Sequence, residues 1–359
     1  MNTLEPTTTL AESTVVPAVA VEHLRVRIPV DGKPAPVIHD VTLTIGRGEA
    51  VGLVGESGSG KSMTARALMR MLPAGAEVDG AIRFEGEDVQ AMNPRRLRAY
   101  RASSIAMIYQ NPHAHINPLR TVGDFLVEGL CQVQKVPRRE AEQRVVDLLA
   151  AVGIADGARR LTQYPHELSG GLLQRVMIAA ALATEPDVIL ADEPTTALDV
   201  TTQEEVIAIL REAQEQRGLS ILLITHDLDL AGAACDRLAV MYAGQVVEVA
   251  DGDDLVERPL HPYSAGLLAA RPEIGVRARL RTVPGRPASG FEVGDGCVFA
   301  ERCAFVTEQC VSERPQLRPL QGRQVACHRA EELDGALLPL ADADGALAPA
   351  EPGQDKEPS

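Results

Sequence analysis

The chain has 359 residues with a formal net charge of −15, 45% hydrophobic residues, only 3% aromatic residues and no tryptophan. This composition predicts a globular protein of one large or two modest domains, with a core of Leu, Val, Ile and Ala such as a parallel sheet covered by helices provides. The acidic balance argues against a protein held on nucleic acid by phosphate contacts, and no apolar run approaches the ~18 residues of a membrane span.

The first residues carry no targeting pattern. We expect residues 1–20 to form a flexible leader. A secretory signal is not expected, because no Lys or Arg precedes Arg25 and Glu5 and Glu12 interrupt the apolar stretch. A cytosolic protein is therefore expected. If it serves a membrane process, it must do so by docking onto other subunits.

Strand-like and helix-like segments then alternate in the pattern that predicts a parallel sheet of the α/β class. The first two strands alternate apolar and polar residues as edge strands do, and the later ones are short apolar runs. A largely helical stretch covers residues 121–163. The predicted strands are residues 24–28, 37–45, 50–54, 105–108, 188–191 and 221–224, with another at Phe84, and the predicted helices are residues 61–71, 172–183 and 201–217.

The composition changes after about residue 255, where Pro and Arg become more frequent and four cysteines appear. From Glu331 to Ser359 the chain carries eight acidic residues against one lysine, in a run rich in Ala, Pro, Gly and Asp. Such a segment can bury little apolar surface, so we expect a disordered acidic tail.

A glycine-rich loop joins the strand at residues 50–54 to the next helix and matches the pattern G-x-x-x-x-G-K-[ST]. Its glycines let the backbone curl so that N–H groups face phosphate oxygens, and the helix N-terminus adds a positive dipole end. The lysine would reach the β- and γ-phosphates of ATP, and the last serine would ligate Mg²⁺. This phosphate loop consists of Gly55, Glu56, Ser57, Gly58, Ser59, Gly60, Lys61 and Ser62.

Two carboxylates follow the buried strand at residues 188–191. Because parallel strands end at the same edge of a sheet, we expect Asp192 and Glu193 to lie beside the phosphate loop. Asp192 would hold Mg²⁺, directly or through its water, and Glu193 would polarise the attacking water. An apolar run ending in Asp-Glu is weak evidence alone, and the phosphate loop makes it strong.

A Ser-Gly-Gly segment resembles the signature motif of the ATP-binding cassette (ABC) ATPases. It consists of Leu168, Ser169, Gly170 and Gly171, followed by Gln174, and it precedes the helix at residues 172–183. Alone it would indicate only a serine N-cap with a glycine turn. Its hydroxyl and N–H groups can also bind a γ-phosphate if two ATPase domains face each other head to tail, each closing the nucleotide site of the other.

Three more positions follow the order of the ABC family. Gln110 follows the strand at residues 105–108 as the Q-loop glutamine does, residues 197–199 resemble the D-loop, and His226 follows the strand at residues 221–224 as the switch histidine does. The resemblance implies catalytic roles for Gln110, Glu193 and His226, Mg²⁺ ligation by Ser62, Gln110 and Asp192, and nucleotide contacts from the phosphate loop, Asp192, Ser169, Gly170, Gly171, Gln174 and Asp199.

The resemblance covers roughly residues 20–250 and implies a P-loop NTPase of ABC type, with a RecA-like core, an antiparallel β subdomain and a helical subdomain. The expected boundaries are 21–255 for the ATPase domain, about 111–175 for the helical subdomain, 256–330 for a small cysteine-containing extension and 331–359 for the tail. Two positions depart from the family. No aromatic residue precedes Phe84, although the family stacks one on adenine near Ile28, and Leu173 precedes Gln174 where relatives often place a polar or basic residue.

Shorter motifs resemble the oligopeptide/dipeptide permease branch of this family. They lie at residues 110–112, 117–119, 164–168, 261–263 and 283–285. The resemblance implies an ATPase of a peptide importer at the cytoplasmic face of the cell membrane. Its partners would be two membrane permease subunits, a second ABC ATPase in a homo- or heterodimer and, indirectly, an extracytoplasmic solute-binding protein, with no nucleic acid.

Two other functions stay open at this point. An importer of nickel or another small solute would carry the same motifs, because the ATPase subunit does not touch the cargo. A soluble ABC ATPase in a nucleic-acid or translation process is the alternative class. The acidic composition and the motifs of the C-terminal extension argue against that class.

The six cysteines fall into two groups. Cys131 and Cys235 lie in helix-like stretches, where a small buried apolar residue is expected. The other four are close together near the C-terminus, and stable disulfides are not expected in a reducing cytosol. Four thiolates suit a [4Fe–4S] cluster or a structural Zn²⁺, although their spacing matches no standard zinc finger and a metal-free region is the remaining alternative. These four are Cys297, Cys303, Cys310 and Cys327.

Overall fold

One mixed β-sheet organises the chain, and its strands and helices alternate as the sequence pattern predicts. The computed structural model describes residues 16–196, 198–271 and 283–337. Within those residues the sheet has 12 strands, in the order β5-β4-β1-β2-β10-β9-β3-β8-β7-β6, with β12 on β10 and β11 on β12. The strands are β1 (Val19–Val30), β2 (Lys33–Ile45), β3 (Ala50–Val54), β4 (Glu77–Phe84), β5 (Glu87–Asp88), β6 (Ile105–Ile108), β7 (Val188–Asp192), β8 (Ser220–Thr225), β9 (Arg237–Tyr242), β10 (Gln245–Asp251), β11 (Arg318–Leu320) and β12 (Arg323–Val325).

The helices cover both faces of this sheet or form the region that follows β6. Helix α1 ends before the predicted residue 71, because Arg70 takes a left-handed backbone conformation with φ of 51°. The helices are α1 (Lys61–Leu68), α2 (Pro94–Ala99), α3 (Pro112–His115), α4 (Val122–Gln132), α5 (Arg138–Ala151), α6 (Gly157–Arg160), α7 (Gly170–Ala183), α8 (Val200–Arg217), α9 (Leu228–Ala234), α10 (Gly252–Glu257), α11 (Pro262–Ala269), α12 (Glu308–Ser312) and α13 (Ala330–Leu333).

The central part of the sheet is parallel. Strands β3, β6, β7, β8 and β9 pair in parallel, and β3, β7 and β8 are buried along their full length. Short continuous apolar runs are typical of such strands because helices cover both faces of the sheet. The loops after β3, β6, β7 and β8 therefore leave the sheet at one edge, which brings together the segments expected to bind nucleotide.

An antiparallel region extends the sheet on the other side. Strand β1 pairs with β2 and with β4, and β2 also meets β10, so β1 and β2 are interior strands. Their interpretation as edge strands was wrong. A strand with one face on the core and the other in solvent alternates apolar and polar residues whether or not it has a neighbour on each side.

A helical layer forms the region between β6 and β7. Helices α4, α5 and α7 pack against one another and bury apolar residues that recur at helical spacing, as the pattern of the sequence predicts. These buried residues include Leu126, Leu130, Val145, Leu149 and Leu173. Among the described residues, no helix has both the length and the apolar character that crossing a bilayer requires.

The C-terminal extension packs onto the ATPase sheet. Strand β12 pairs antiparallel with β10, so the extension adds to the sheet itself. Leu333 and Leu337, which the sequence analysis assigned to the tail, are buried in a small cluster with Phe305. The packed chain thus continues to residue 337. The remainder of the expected tail, and residues 1–15 of the expected leader, lie outside the described residues.

Candidate active site

The phosphate loop curls between β3 and α1, and its glycines permit a path that other residues could not follow. Gly55 has φ of 154°, and a Cβ at this position would lie 2.1 Å from the carbonyl oxygen of Met241. Gly60 has φ of 105°, and a Cβ there would lie 2.8 Å from the Met241 side chain. The loop is therefore pressed against β9, with α1 beginning directly after it.

The Lys61 ammonium lies inside this curl. It donates hydrogen bonds to the carbonyl oxygens of Gly55 (2.7 Å) and Glu56 (2.9 Å). Burial lowers the pKa of Lys61, while the nearby carboxylates of Glu193 and Asp192 oppose that shift. The ammonium is thus held at the loop by backbone acceptors and faces the acidic end of β7.

Ser62 and Asp192 form a pair of oxygen ligands. The Ser62 hydroxyl donates to Oδ1 of Asp192 at 2.8 Å. Burial raises the pKa of Asp192, the hydrogen bond from Ser62 opposes that shift, and the charge of Glu193 adds to it. Oxygen atoms of this type suit Mg²⁺, which keeps several waters and is bound by few protein groups together with substrate phosphates.

Glu193 is the point at which the other expected catalytic residues meet. Its Oε2 accepts hydrogen bonds from Nε2 of Gln110 (2.7 Å) and from the Thr196 hydroxyl (2.8 Å). Nδ1 of His226 lies 3.7 Å from its Oε1. The backbone of Glu193 is left-handed, with φ of 47°, a conformation that costs a non-glycine residue about 1–3 kcal/mol and often occurs at functional sites.

A cleft of about 670 Å³ opens beside these residues. One wall comes from the phosphate loop, and Gln110, Glu193 and His226 form the catalytic side. Other lining residues come from a different part of the chain, namely Pro287, Ser289, Gly290 and Phe291 of the C-terminal extension, together with Val37 of β2. The sequence did not predict that the extension lines the cleft. The two segments are more than two hundred residues apart, and no local sequence pattern indicates that they are in contact.

The extension also holds the phosphate loop directly. Arg302 donates to both carboxylate oxygens of Glu56, at 2.6 and 3.2 Å, and the Glu56 N–H donates to the Tyr263 hydroxyl at 2.9 Å. The side chain of Glu56 is thus occupied by an ion pair, although the residue was expected to contact nucleotide. Tyr263 belongs to the His-Pro-Tyr motif noted in the sequence, but its contact with the loop had no sequence signal.

The signature segment and the D-loop lie at helix starts outside this cleft. Ser169 is the N-cap of α7 and accepts from the Leu172 N–H at 3.4 Å, while a Cβ at Gly170 would meet open space and one at Gly171 would lie 3.2 Å from Thr202. Asp199 is the N-cap of α8, and hydrogen bonds from Thr202 lower the pKa of its carboxyl. None of these described residues lines the cleft with the phosphate loop, as expected if they serve the site of a facing subunit.

Gln174 is buried, unlike Ser169 and Gly170 of the same signature segment. The side chain of Gln174 is buried in α7, and within the part of the chain that the structure describes its Nε2 has no hydrogen-bond partner. Ala197 of the D-loop lies outside the described residues. Ile28 packs against the core beneath the antiparallel region and does not line the cleft.

The four C-terminal cysteines line a second, narrow cavity of about 10 Å³, which has room for roughly one water molecule. Burial raises the pKa of Cys303 to about 11 and that of Cys327 to about 12, and the neighbouring cysteines add to both shifts. Burial also raises the pKa of Cys297. No three His, Cys, Asp or Glu residues among those described are grouped closely enough to hold one metal ion. The two remaining cysteines lie elsewhere, Cys131 in α4 and Cys235 just after α9.

Comparison with known proteins agrees with this site. A family model described as "ABC transporter" matches residues 38–196, and one described as "Oligopeptide/dipeptide transporter, C-terminal region" matches residues 247–310. The chain is 28% identical to cbiO1 from Clostridium perfringens, part of the ABC transporter complex cbiONQ, with a TM-score of 0.57 over 67% of this chain and 90% of that one. It is 27% identical to the ATP-binding cassette MJ0796 bound to ADP and Pi, with a TM-score of 0.59 over 65% of this chain and 98% of that one.

Curated relatives match nearly the whole chain. A putative peptide import ATP-binding protein of Brucella abortus is 42% identical over 313 residues, which cover 87% of this chain and 94% of the relative. The dipeptide transport ATP-binding protein DppD of Escherichia coli is 41% identical over 311 residues, or 86% and 95% of the two chains. The expected family and fold are thus confirmed. The chain belongs to the ATP-binding, ATP-hydrolysing subunits of ABC transporters, in the branch that carries the oligopeptide/dipeptide transporter C-terminal region.

Proposed function

We propose that this protein hydrolyses ATP to drive an importer of di- or oligopeptides at the cytoplasmic face of the cell membrane. The observation that carries the peptide assignment is the similarity over nearly the full length to relatives named for peptide and dipeptide import. The match includes the C-terminal region, which here contacts the phosphate loop through Arg302 and Tyr263. Two membrane permease subunits and a second ABC ATPase complete the proposed transporter, with a solute-binding protein outside the membrane.

The chemistry of the site follows from the contacts of its side chains. Lys61 and the loop N–H groups would bind the β- and γ-phosphates, and Ser62, Asp192 and Gln110 would hold Mg²⁺, which supplies charge neutralisation at the transferred phosphoryl group. Glu193 would accept a proton from the attacking water. Gln110 and Thr196 donate hydrogen bonds to its carboxylate. His226, whose Nδ1 lies 3.7 Å from that carboxylate, would contact the γ-phosphate.

A facing ATPase subunit would complete the site. Ser169, Gly170 and Gly171 form the start of α7, where the first N–H groups have no acceptor within the helix, and such a helix N-terminus suits an anion supplied by another subunit. Gln174 would support that segment from within α7, and Asp199 would act at the interface. ATP binding would close the dimer and swing the permeases, and hydrolysis would reset them.

Affinity purification of the Glu193→Gln protein from its native membranes, with ATP present, tests this function. We expect two polytopic permeases and a second ABC ATPase in the eluate, because the dimer should stay closed when hydrolysis is blocked. The same purification without ATP is the control for nucleotide-dependent capture. An eluate free of membrane subunits would contradict transport and favour a soluble ABC ATPase.

The cargo requires a separate measurement. A solute-binding protein recovered with the transporter can be titrated with dipeptides, oligopeptides and Ni²⁺ by calorimetry. Binding of peptides supports the proposal. Binding of Ni²⁺ or another small solute without peptide binding would replace peptide import by the alternative importer function.

We further propose that the four C-terminal cysteines bind a structural [4Fe–4S] cluster. The support is that all four line one cavity and that soft thiolates are the ligands such clusters take. A structural Zn²⁺ bound by the same thiolates is the alternative.

Anaerobic purification tests the cysteine site. We expect a brown protein with about four iron atoms per chain, and loss of iron in a Cys303→Ser/Cys327→Ser variant. A Cys131→Ser variant is the matched control, because that cysteine lies in α4 away from the cavity. Bound zinc without iron would replace the cluster by Zn²⁺, and a colourless protein with neither metal would contradict both.

A further inference from the structure

The wall that the extension contributes to the cleft carries an exposed aromatic side chain. Phe291 lies in the short helical turn Gly290–Glu292, lines the cleft with the phosphate loop and is 58% exposed. One exposed apolar side chain is ordinary at a protein surface and carries no conclusion by its exposure alone. What points to a ligand contact is the position of Phe291 in the same cleft as the phosphate loop.

The turn that carries Phe291 is fixed to the antiparallel region. The ring N–H of His39 donates to the carbonyl oxygen of Gly290 at 2.6 Å. A Cβ at Gly290 would lie 2.7 Å from the carbonyl oxygen of Val37, so the turn contacts β2 at a distance that only glycine permits. The backbone N–H of Ser289 donates to Glu292 at 2.7 Å and closes the turn.

The same segment is also fixed to the phosphate loop. Arg302 joins the extension to Glu56, and its guanidinium also donates to the Tyr242 hydroxyl at 3.2 Å. That hydroxyl accepts the N–H of Ala288 at 3.3 Å, one residue before Ser289. A Cβ at Gly58 of the loop would lie 3.3 Å from the Ser289 hydroxyl. Phe291 is therefore held at a defined place beside the loop that binds phosphate.

The lining of the cleft combines two kinds of side chain. Lys61, Ser62 and Glu193 suit phosphates and a metal ion, whereas Phe291 and Val37 are apolar. No Phe, Tyr or Trp occurs before Phe84, and Ile28 is partly buried and packs against the core. The first strands thus contain no Phe, Tyr or Trp ring for a nucleotide base, whereas the lining of the cleft includes Phe291 of the extension.

We propose that Phe291 of the C-terminal extension packs against the base of the bound nucleotide and replaces the aromatic residue missing from the first strands. The inference rests on the proposed binding of ATP at the phosphate loop. Stacking of an aromatic ring on a base is tolerant of base identity because every base has a π-face. The extension is in this way a part of the nucleotide site as well as an addition to the sheet.

Calorimetric titration of variants with ATP and with tripolyphosphate, which has the phosphates without a base, tests the inference. All proteins carry Glu193→Gln so that ATP is not consumed. Phe291→Ala should weaken ATP about tenfold, the lower part of the range for base–aromatic stacking, and leave tripolyphosphate binding unchanged. Phe291→Tyr should restore the affinity for ATP. Because Phe291 is exposed, the melting temperature should stay that of the parent.

A fluorescent variant gives an independent measurement. The chain contains no tryptophan and five tyrosines, so Phe291→Trp introduces a single tryptophan at the cleft, whose emission is measured with excitation that tyrosine does not absorb. Its emission should change on addition of ATP and stay constant with tripolyphosphate. Val311→Trp is the matched control, since Val311 is an exposed apolar residue of the same extension that does not line the cleft; its emission should respond to neither ligand.

The outcomes separate this inference from the function on which it rests. Equal loss of both ligands in Phe291→Ala would mean that the residue only supports the loop, and unchanged binding of both would mean that it does not touch the base; either result overturns the inference. Lys61→Ala should lose both ligands. If Lys61→Ala bound both like the parent, the proposed nucleotide site itself would be wrong, whatever the Phe291 variants do.

Discussion

Replacement of Glu193 by glutamine is expected to lower kcat for ATP hydrolysis by about 10²–10⁴-fold, the usual contribution of a positioned general base. The substitution keeps the shape of the side chain and its contacts with Gln110 and Thr196 but removes the oxygen that can take a proton. ATP affinity should stay close to that of the parent, because Lys61 and the loop still bind the phosphates. Phosphate release in the reconstituted transporter measures kcat, and calorimetry measures the affinity.

The control for this variant is Glu212→Gln. It removes a carboxylate from an exposed position on α8, where the side chain accepts a hydrogen bond from Gln216. Its turnover should equal that of the parent. Turnover of Glu193→Gln close to the parent rate would reject the assignment of Glu193 as general base. The left-handed backbone of Glu193 would then reflect only the turn that the chain makes after β7, and not a catalytic role.

Replacement of Lys61 by alanine is expected to weaken ATP binding by at least about 10²-fold. Truncating one partner of a buried, hydrogen-bonded charge pair costs about 2–5 kcal/mol, much of it from the group left without its partner. Two interactions are lost in this variant. The phosphates lose their cation, and the carbonyl oxygens of Gly55 and Glu56 lose the donor that helps to hold the loop curled.

The same calorimetric titration measures this effect, with Lys135→Ala as the control. Lys135 is exposed and donates only to the carbonyl oxygen of Gln132, so its removal changes the net charge by the same amount without touching the cleft. ATP affinity of Lys135→Ala should match the parent. Parent-like affinity in Lys61→Ala would contradict the assignment of the phosphate loop.

An ion pair between Arg302 of the C-terminal extension and Glu56 of the phosphate loop joins the extension to the nucleotide site. Arg302 is 6% exposed and its partner Glu56 22%, so this ion pair is shielded from solvent. Such pairs are strongly destabilising to break, because one charge is left buried without a partner. The phosphate loop is therefore coupled mechanically to the region that contains the four cysteines, where Cys303 directly follows Arg302.

The sequence alone was sufficient to predict the family, the α/β class and the strands that carry the phosphate loop, Asp192 and His226. Those features depend on local patterns: contiguous residues form the loop, and parallel strands with apolar runs end at one edge of the sheet whatever else packs around them. The contact of Glu193 with Gln110 and His226 follows from that shared edge, since each residue comes just after a parallel strand.

Other features were decided only by the tertiary structure. The interior position of β1 and β2, the ion pair between Glu56 and Arg302, and the place of Phe291 in the cleft each join segments that are distant along the chain. Alternation along a strand reports which face is buried and not which strand lies beside it, and a charged or aromatic residue carries no local mark of its partner. The motifs of the sequence therefore determined the chemistry of this site, and the packing of the C-terminal extension against β2 and the phosphate loop decided how that site is enclosed.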